Sequence, residues 1–217
     1  MQGTESTHPS DRVVGIDEAG RGSLAGPVIA AAVVLHPVKT IAGLQDSKKL
    51  SPKRREDLFS EITSKAVFWA IGRASAGEID RLNIHQATLL AMSRAWKSVP
   101  FPVEQVLVDG LHCPELEAPC KAIVQGDRSV PVISAASILA KVTRDAEMRA
   151  YHADYPEYGF DRHKGYPTAH HLDALHAHGP SDLHRKSYGP VRDALAVRPQ
   201  HPEGRNPSSA GLQPPLP

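Results

Sequence analysis

The 217-residue chain is short of cysteine and aromatic residues, has almost no net charge and contains no long apolar run. Its two cysteines, Cys113 and Cys120, have six residues between them, two of them proline, and no second Cys or His pair at zinc-finger spacing. Neither a disulfide framework nor a structural zinc site follows, and free thiols in a reducing cytoplasm are expected. The longest apolar stretch, Val28 to Leu35, is far short of the roughly 20 residues that span a bilayer, and Met1 to Arg12 lacks the apolar centre of a signal peptide. Membrane insertion and secretion are therefore not expected. No three-residue glycine period or sustained heptad is present, which excludes fibres and coiled coils, and a hydrophobic content of 41% is too high for a fully disordered chain. With 25 Lys+Arg against 24 Asp+Glu, total charge says nothing about a polyanionic partner. Binding of nucleic acid would depend on where the cations sit.

What is present is an alternating pattern between two aperiodic ends. Residues 1–11 are polar, and from Arg198 six of the chain's 19 prolines fall within 20 residues with almost nothing apolar to bury, so both ends read as disordered tails. Between them Val13 to Asp17 and Val28 to Leu35 read as strands, joined by a turn containing Gly20, Gly22 and Gly26. Ser51 followed by Pro52 is a helix start, and the helix extends to about Lys65. Ala66 to Ala74 is a third strand, Ile84 to Lys97 a helix, Gln105 to Asp109 a fourth strand and Ala122 to Val124 a short fifth. Ser134 to Tyr151 is the most regular helix, with Ala135, Ile138, Leu139, Val142 and Ala146 on one face and Ser137, Lys141 and Arg144 on another. Thr168 to His178 and Pro190 to Val197 complete the series. This order predicts an α/β domain over residues 12–197, built on a mixed sheet flanked by helices and ending in a helical extension.

Three acidic positions fall at strand ends or just beyond them: Asp17 with Glu18, Asp109, and Asp127. Singly, each reads as a solvated loop residue. Gathered at one sheet edge they would repel one another unless divalent cations neutralised them, and oxygen-only ligands favour hard ions, Mg²⁺ or Mn²⁺.

The strings GIDEAGRGSLAGPV at Gly15 to Val28, DSKKLS at Asp46 to Ser51, VDG at Val108 to Gly110, GDRSVPVISAASILAKVTRD at Gly126 to Asp145 and YGFDRHKGYPTAHH at Tyr158 to His171 resemble bacterial ribonuclease HII, in the same order. The resemblance runs from about Val13 to Val197 and implies a ribonuclease H-like fold. It also implies hydrolysis of the RNA strand of RNA/DNA hybrids and cutting at single ribonucleotides in duplex DNA. Carried over by position, the family's metal-binding, catalytic acids are Asp17, Glu18, Asp109 and Asp127, holding two Mn²⁺ or Mg²⁺ ions, with Asp17 expected to bridge them. The Gly20, Arg21, Gly22 turn is the family's ribose sensor, and Tyr166 is the ring that packs on the sugar 3′ of the ribonucleotide. Both have plainer readings, a tight turn between strands and a tyrosine packed on its own loop.

Phosphate contacts are expected from Lys48, Lys49, Lys141, Arg144 and Lys164, with Ser137 beside them and Arg185 as a further candidate, because cations supply most of the affinity for a duplex. Arg54 and Arg55 read instead as an exposed charged face. Seven of the 12 histidines fall between His152 and His184 without the acid-containing spacing of a zinc peptidase, so zinc is not expected. His170 or His171 is a candidate for a phosphate contact, while His184 and Arg185 are candidates for the floor of the site. Two alternatives stay open: a resolvase-like nuclease of the same fold, and an inactive module that binds hybrids. A type HIII enzyme is not expected, since only about a dozen residues precede the first strand. The expected state is a cytoplasmic monomer bound to hybrid or ribonucleotide-containing duplex.

Overall fold

The computed structural model describes residues 12–197; the two predicted tails lie outside them. Five strands form one mixed sheet in the order β3-β2-β1-β4-β5. Strands β1 (Val13–Ala19), β2 (Val28–Val34) and β3 (Phe68–Ala74) form an antiparallel meander, and β4 (Gln105–Asp109) and β5 (Cys120–Ile123) add parallel to β1. All seven residues of β2 are buried, as a continuous apolar run requires of a central strand covered on both faces.

The two faces are covered by different helices, and strand alternation sorts the residues between them. Val14, Ile16, Ala30, Ala32, Val106 and Val108 pack with α2 (Ala76–Trp96) on one side. Ile29, Ala31 and Val33 pack with α1 (Pro52–Lys65) and α4 (Pro131–Asp154) on the other. Two glycines set how closely these layers approach: a Cβ on Gly72 would lie 2.0 Å from the carbonyl oxygen of Ala91 in α2, and one on Gly15 would lie 2.3 Å from that of Val132 in α4. The short α3 (Gly126–Ser129), α5 (Phe160–His163), α6 (Ala169–His178) and α7 (Gly189–Val197) complete the α-helices of the described residues. No helix among the described residues is long and apolar enough to cross a membrane.

Several local expectations shift. Helix α2 begins at Ala76, eight residues before the predicted start, because Ser75 and Glu78 form a reciprocal capping box. The predicted start coincides with a break in the helix, where Asn83 takes φ 67° and its Oδ1 accepts from Gln86 N–H at 3.1 Å, restarting the helix. Ala66 ends α1 instead of opening β3. Ser51 caps α1 as predicted, accepting from Arg54 N–H at 3.2 Å. The cysteines are not free: Cys113 and Cys120 form a disulfide across the β4–β5 connection, whose return brings their Cα atoms to 6.2 Å, within bridging range.

Candidate active site

The four predicted acids converge where the sheet changes direction of growth. β1, β4 and β5 run parallel, so their C-terminal ends share one edge, the usual crevice of an open α/β sheet. β1 pairs with β4 only as far as Ile16↔Val108, although it continues along β2 to Ala19. Asp17 and Glu18 therefore stand on a strand whose β4 side has already opened. Their side chains diverge by the strand's alternation: Asp17 meets the Ser137 hydroxyl of α4, and Glu18 lines a cavity of about 270 Å³ with Asp109, Arg21 and, from α2, His85 and Thr88. Asp109 ends β4, and its Oδ1 accepts from Asp127 N–H at 3.3 Å, which ties the start of α3 to the sheet edge.

The electrostatics are those of an anionic cluster only partly compensated by neighbouring cations. Burial pushes the Asp17 carboxyl well above its usual range, and the charges of Glu18 and Asp109 push it further. Burial raises Glu18, with Asp109 adding to the effect and Arg21 and Lys48 opposing it. Asp127 is raised by burial and by the charges of Asp109 and Asp46. Among the described residues no three His, Cys, Asp or Glu side chains form a ready-made cage for one ion. The oxygen-only donors nevertheless fit a hard divalent cation of the Mg²⁺ type, which keeps several waters and takes only one or two carboxylates at a time. Such a charge would relieve the repulsion that holds these groups toward protonation.

Recognition candidates border the acids. Gly20 has φ 99°, and a Cβ there would lie 2.0 Å from Arg144 Nε, so this turn requires glycine. Arg21 and Gly22 are exposed, and a Cβ on Gly22 would be 3.9 Å from Tyr166 Cε1, which puts the glycine turn beside the tyrosine ring. Lys48 and Lys49 are exposed on a 3₁₀ turn, Ser47–Lys49, capped by the buried Asp46, which accepts from Lys48 N–H at 2.9 Å. Burial would raise the Asp46 carboxyl, but that hydrogen bond, Lys48 and Arg128 outweigh it and hold it below its usual value. Ser137 is buried and shares a 3.0 Å hydrogen bond with Ser47 Oγ. Lys141 pairs with Asp145 at 2.8 Å beneath the Tyr166 ring, and the Lys164 ammonium donates to the Asp161 carbonyl.

Other sequence expectations fail. Arg144 is fully buried and cannot meet a phosphate; it donates to the carbonyls of Pro27 at 2.9 Å, Lys164 at 2.9 Å and Ala25 at 3.1 Å. Arg185 is likewise fully buried. Helical spacing showed that Arg144 shares a face with Ser137 and Lys141, but not that the loops after β1 and α5 close over it. Arg55 is not a free charged face, since it donates to Ser47 O at 2.9 Å and Leu50 O at 2.6 Å and so braces the lysine turn. Sequence reasoning also passed over Asp46, which lies within the matched DSKKLS string, and His85, whose ring meets His112 at 4.8 Å beside the cavity.

His171 is no phosphate contact either. It is fully buried with His184, and the partners fix both tautomers. His184 Nδ1 accepts from Ser181 N–H at 3.0 Å, so its Nε2–H donates to His171 Nε2 at 3.1 Å, and His171 Nδ1–H donates to the Tyr166 carbonyl at 2.9 Å. Burial depresses His171 to about 4 and, with the neighbouring imidazoles, His184 to about 3. Because the folded values lie below the unfolded one, the contribution to stability is complete above pH 6.5 and is lost as pH falls toward 4. For His171 the loss is on the order of 3 kcal/mol. Thermal unfolding followed from pH 7 to pH 4 should show this decline in the parent and a shallower one in His171→Gln; parallel curves would remove the pair from the account.

The family model for ribonuclease HII matches residues 14–191. A ribonuclease HII of Dechloromonas aromatica is 57% identical over 189 residues, covering 87% of this chain and 96% of that protein. Among solved structures, the ribonuclease H2 of Pyrococcus horikoshii aligns with a TM-score of 0.73 at 26% identity, over 86% of this chain and 98% of that one. The ribonuclease HII in a complex with PCNA from Archaeoglobus fulgidus aligns at 0.69 and 24% identity, over 82% and 95%, a likeness of fold. A family match across nearly the whole described domain, joined to four acids at one sheet edge, shows that the chain belongs to the ribonuclease HII family.

Proposed function

We propose that this protein is a divalent-metal-dependent endonuclease that hydrolyses the RNA strand of RNA/DNA hybrids and cuts on the 5′ side of single ribonucleotides in duplex DNA. The observation that carries the reading is the meeting, at one crevice, of the Asp17, Glu18, Asp109 and Asp127 carboxylates with the Gly20–Gly22 turn and the Tyr166 ring. Family membership supports the same activity. Asp17, Glu18, Asp109 and Asp127 would hold two ions, Mg²⁺ or Mn²⁺. Two such ions, when bound, supply neutralisation of charge on the phosphate and a water of lowered pKa.

The chain's own residues orient the reaction. Ser137 fixes the Asp17 carboxylate from the α4 side. Lys48, whose charge acts on Glu18 and Asp127, and Lys49, exposed on the same turn, position phosphates of the duplex. The glycine turn lets the backbone approach the sugar, and the 2′-hydroxyl there is a handle that only a ribonucleotide offers. Tyr166 supplies a flat ring for the adjoining sugar. Water adds to phosphorus on the 5′ side of the ribonucleotide, the bond to the neighbouring 3′ oxygen breaks, and that oxygen takes up a proton. The products carry a 3′-hydroxyl and a 5′-phosphate, and the 2′-hydroxyl is not the nucleophile. We read residues 12–197 as the whole catalytic domain, acting as a monomer in the cytoplasm.

The test offers two labelled duplexes, all-DNA and DNA with one ribonucleotide, in Mg²⁺, Mn²⁺ or EDTA. Metal-dependent cutting only 5′ of the ribonucleotide is expected. Equal cutting of both duplexes would favour a general nuclease of this fold, and binding without cutting a module that only binds hybrids.

A further inference from the structure

The guanidinium of the fully buried Arg185 donates to backbone carbonyls and a phenol and, among the described residues, to no carboxylate oxygen. Its Nη2 donates to Gly20 O at 2.7 Å, its Nη1 to Arg21 O at 2.8 Å, and its Nε and Nη2 to Gly26 O at 3.0 and 2.9 Å. Nη1 also donates to Tyr188 Oη at 3.1 Å, and the Tyr188 hydroxyl in turn donates to Arg21 O at 2.8 Å. Two side chains more than 160 residues away in sequence thus hold both inward-facing carbonyls of the glycine turn. The segment carrying them is itself anchored: Arg185 N–H donates to Leu24 O at 2.8 Å, and Asp80 of α2 accepts from Lys186 N–H, Ser187 N–H and the Ser187 hydroxyl at 2.9, 2.8 and 2.7 Å.

Peptide geometry turns this anchorage into a directional statement. In a planar trans peptide the C=O of one residue and the N–H of the next point in opposite directions. Drawing the carbonyls of Gly20 and Arg21 into the interior therefore turns the N–H groups of Arg21 and Gly22 outward, on the two exposed residues of the turn. A guanidinium suits this task because its planar fork presents five N–H donors at fixed angles, whereas an ammonium on a flexible stem cannot reach three carbonyls in one plane.

We infer that Arg185 and Tyr188 are positioning residues for ribose recognition: they set the peptide planes of Gly20 and Arg21 so that the Arg21 and Gly22 N–H groups face the sugar. The inference rests on the proposed reading of Gly20–Gly22 as the ribose-contacting turn. Neither side chain touches the substrate, and their loss is felt through discrimination between ribose and deoxyribose.

The experiment measures binding in Mn²⁺ by fluorescence anisotropy, in an Asp109→Asn background that does not cut, on two duplexes differing only in one 2′-hydroxyl. The quantity read is the ratio of Kd for all-DNA to Kd for the ribonucleotide duplex. Tyr188→Phe, which removes the hydrogen bond Tyr188 donates to Arg21 O together with the one it accepts from Arg185, is expected to lower the ratio about fivefold. Arg185→Lys is expected to lower it by a further order of magnitude, on the scale of losing several such bonds, with Kd for all-DNA unchanged. Retention of the background's ratio by both variants would overturn the inference, as would an equal loss of affinity for both duplexes, which would mark a purely structural role. If Arg185→Lys does not fold, Tyr188→Phe decides the matter by the same ratio. An Asp109→Asn background without any preference for ribose would overturn the reading of the turn itself, and the inference with it.

Discussion

Asp17→Asn should reduce cleavage at a ribonucleotide by about a hundred- to a thousandfold, the scale of removing one electrostatic stabiliser at a reacting centre, while leaving the fold intact. Asn keeps the volume and accepts the Ser137 hydrogen bond, but it removes the charge that burial, Glu18 and Asp109 all disfavour. The variant is therefore expected to melt higher than the parent in EDTA. Divalent cation should reverse the order. A ligand that binds only the native state at a hundred times its Kd adds about 2.7 kcal/mol, and the parent should gain this from Mn²⁺ while Asp17→Asn gains little. Differential scanning fluorimetry with a Mn²⁺ titration separates the two effects from activity. Equal metal-induced stabilisation of both proteins would take Asp17 out of the metal-binding set.

Arg144→Met should destabilise the domain by about 3–5 kcal/mol, a large part of the roughly 5–15 kcal/mol that holds a typical domain together. Replacing a buried ion by an apolar side chain can be neutral when its partners are replaced as well. Here the partners are the main-chain carbonyls of Ala25, Pro27 and Lys164, which stay in place and lose their donors. Burial lowers Arg144 to about 10, still far above neutral pH, so a charged guanidinium makes these bonds. Denaturant unfolding checks the expected loss. A phosphate-contacting arginine would behave in the opposite way, keeping the unfolding midpoint and flattening the salt dependence of duplex binding.

The contrast between Lys48 and Arg144 shows what a linear reading reaches. Both lie in matched strings, and both are cations that could meet a phosphate. Lys48 follows a buried Asp cap on a short turn, a local arrangement that leaves its ammonium in solvent. Arg144 occupies the polar face of a well-formed helix, but that face is roofed by the segments at 24–27 and 164–166, far away in sequence. The same holds for His171, whose position on α6 says nothing of the His184 imidazole that approaches from the segment after that helix. The start of α2, by contrast, is encoded locally in the Ser75-x-x-Glu78 spacing.

The sequence by itself determined the alternating α/β order, the burial of β2, the cap of α1 and the placing of the four acids at strand ends or just beyond them, because each depends on neighbours within a few residues or on a motif contiguous in the chain. Only the tertiary structure decided the rest. It set the unpairing of β1 beyond Ile16 that opens the crevice, the division of Asp17 toward α4 and Glu18 toward α2, and the pairing of Cys113 with Cys120. It also turned Arg144 and Arg185 from candidate phosphate contacts into buried donors to backbone carbonyls of the segment between β1 and β2. The physical reason is the same throughout: whether a polar side chain faces solvent or backbone carbonyls depends on which distant segments pack over it, and a polar residue pattern has the same appearance in either case.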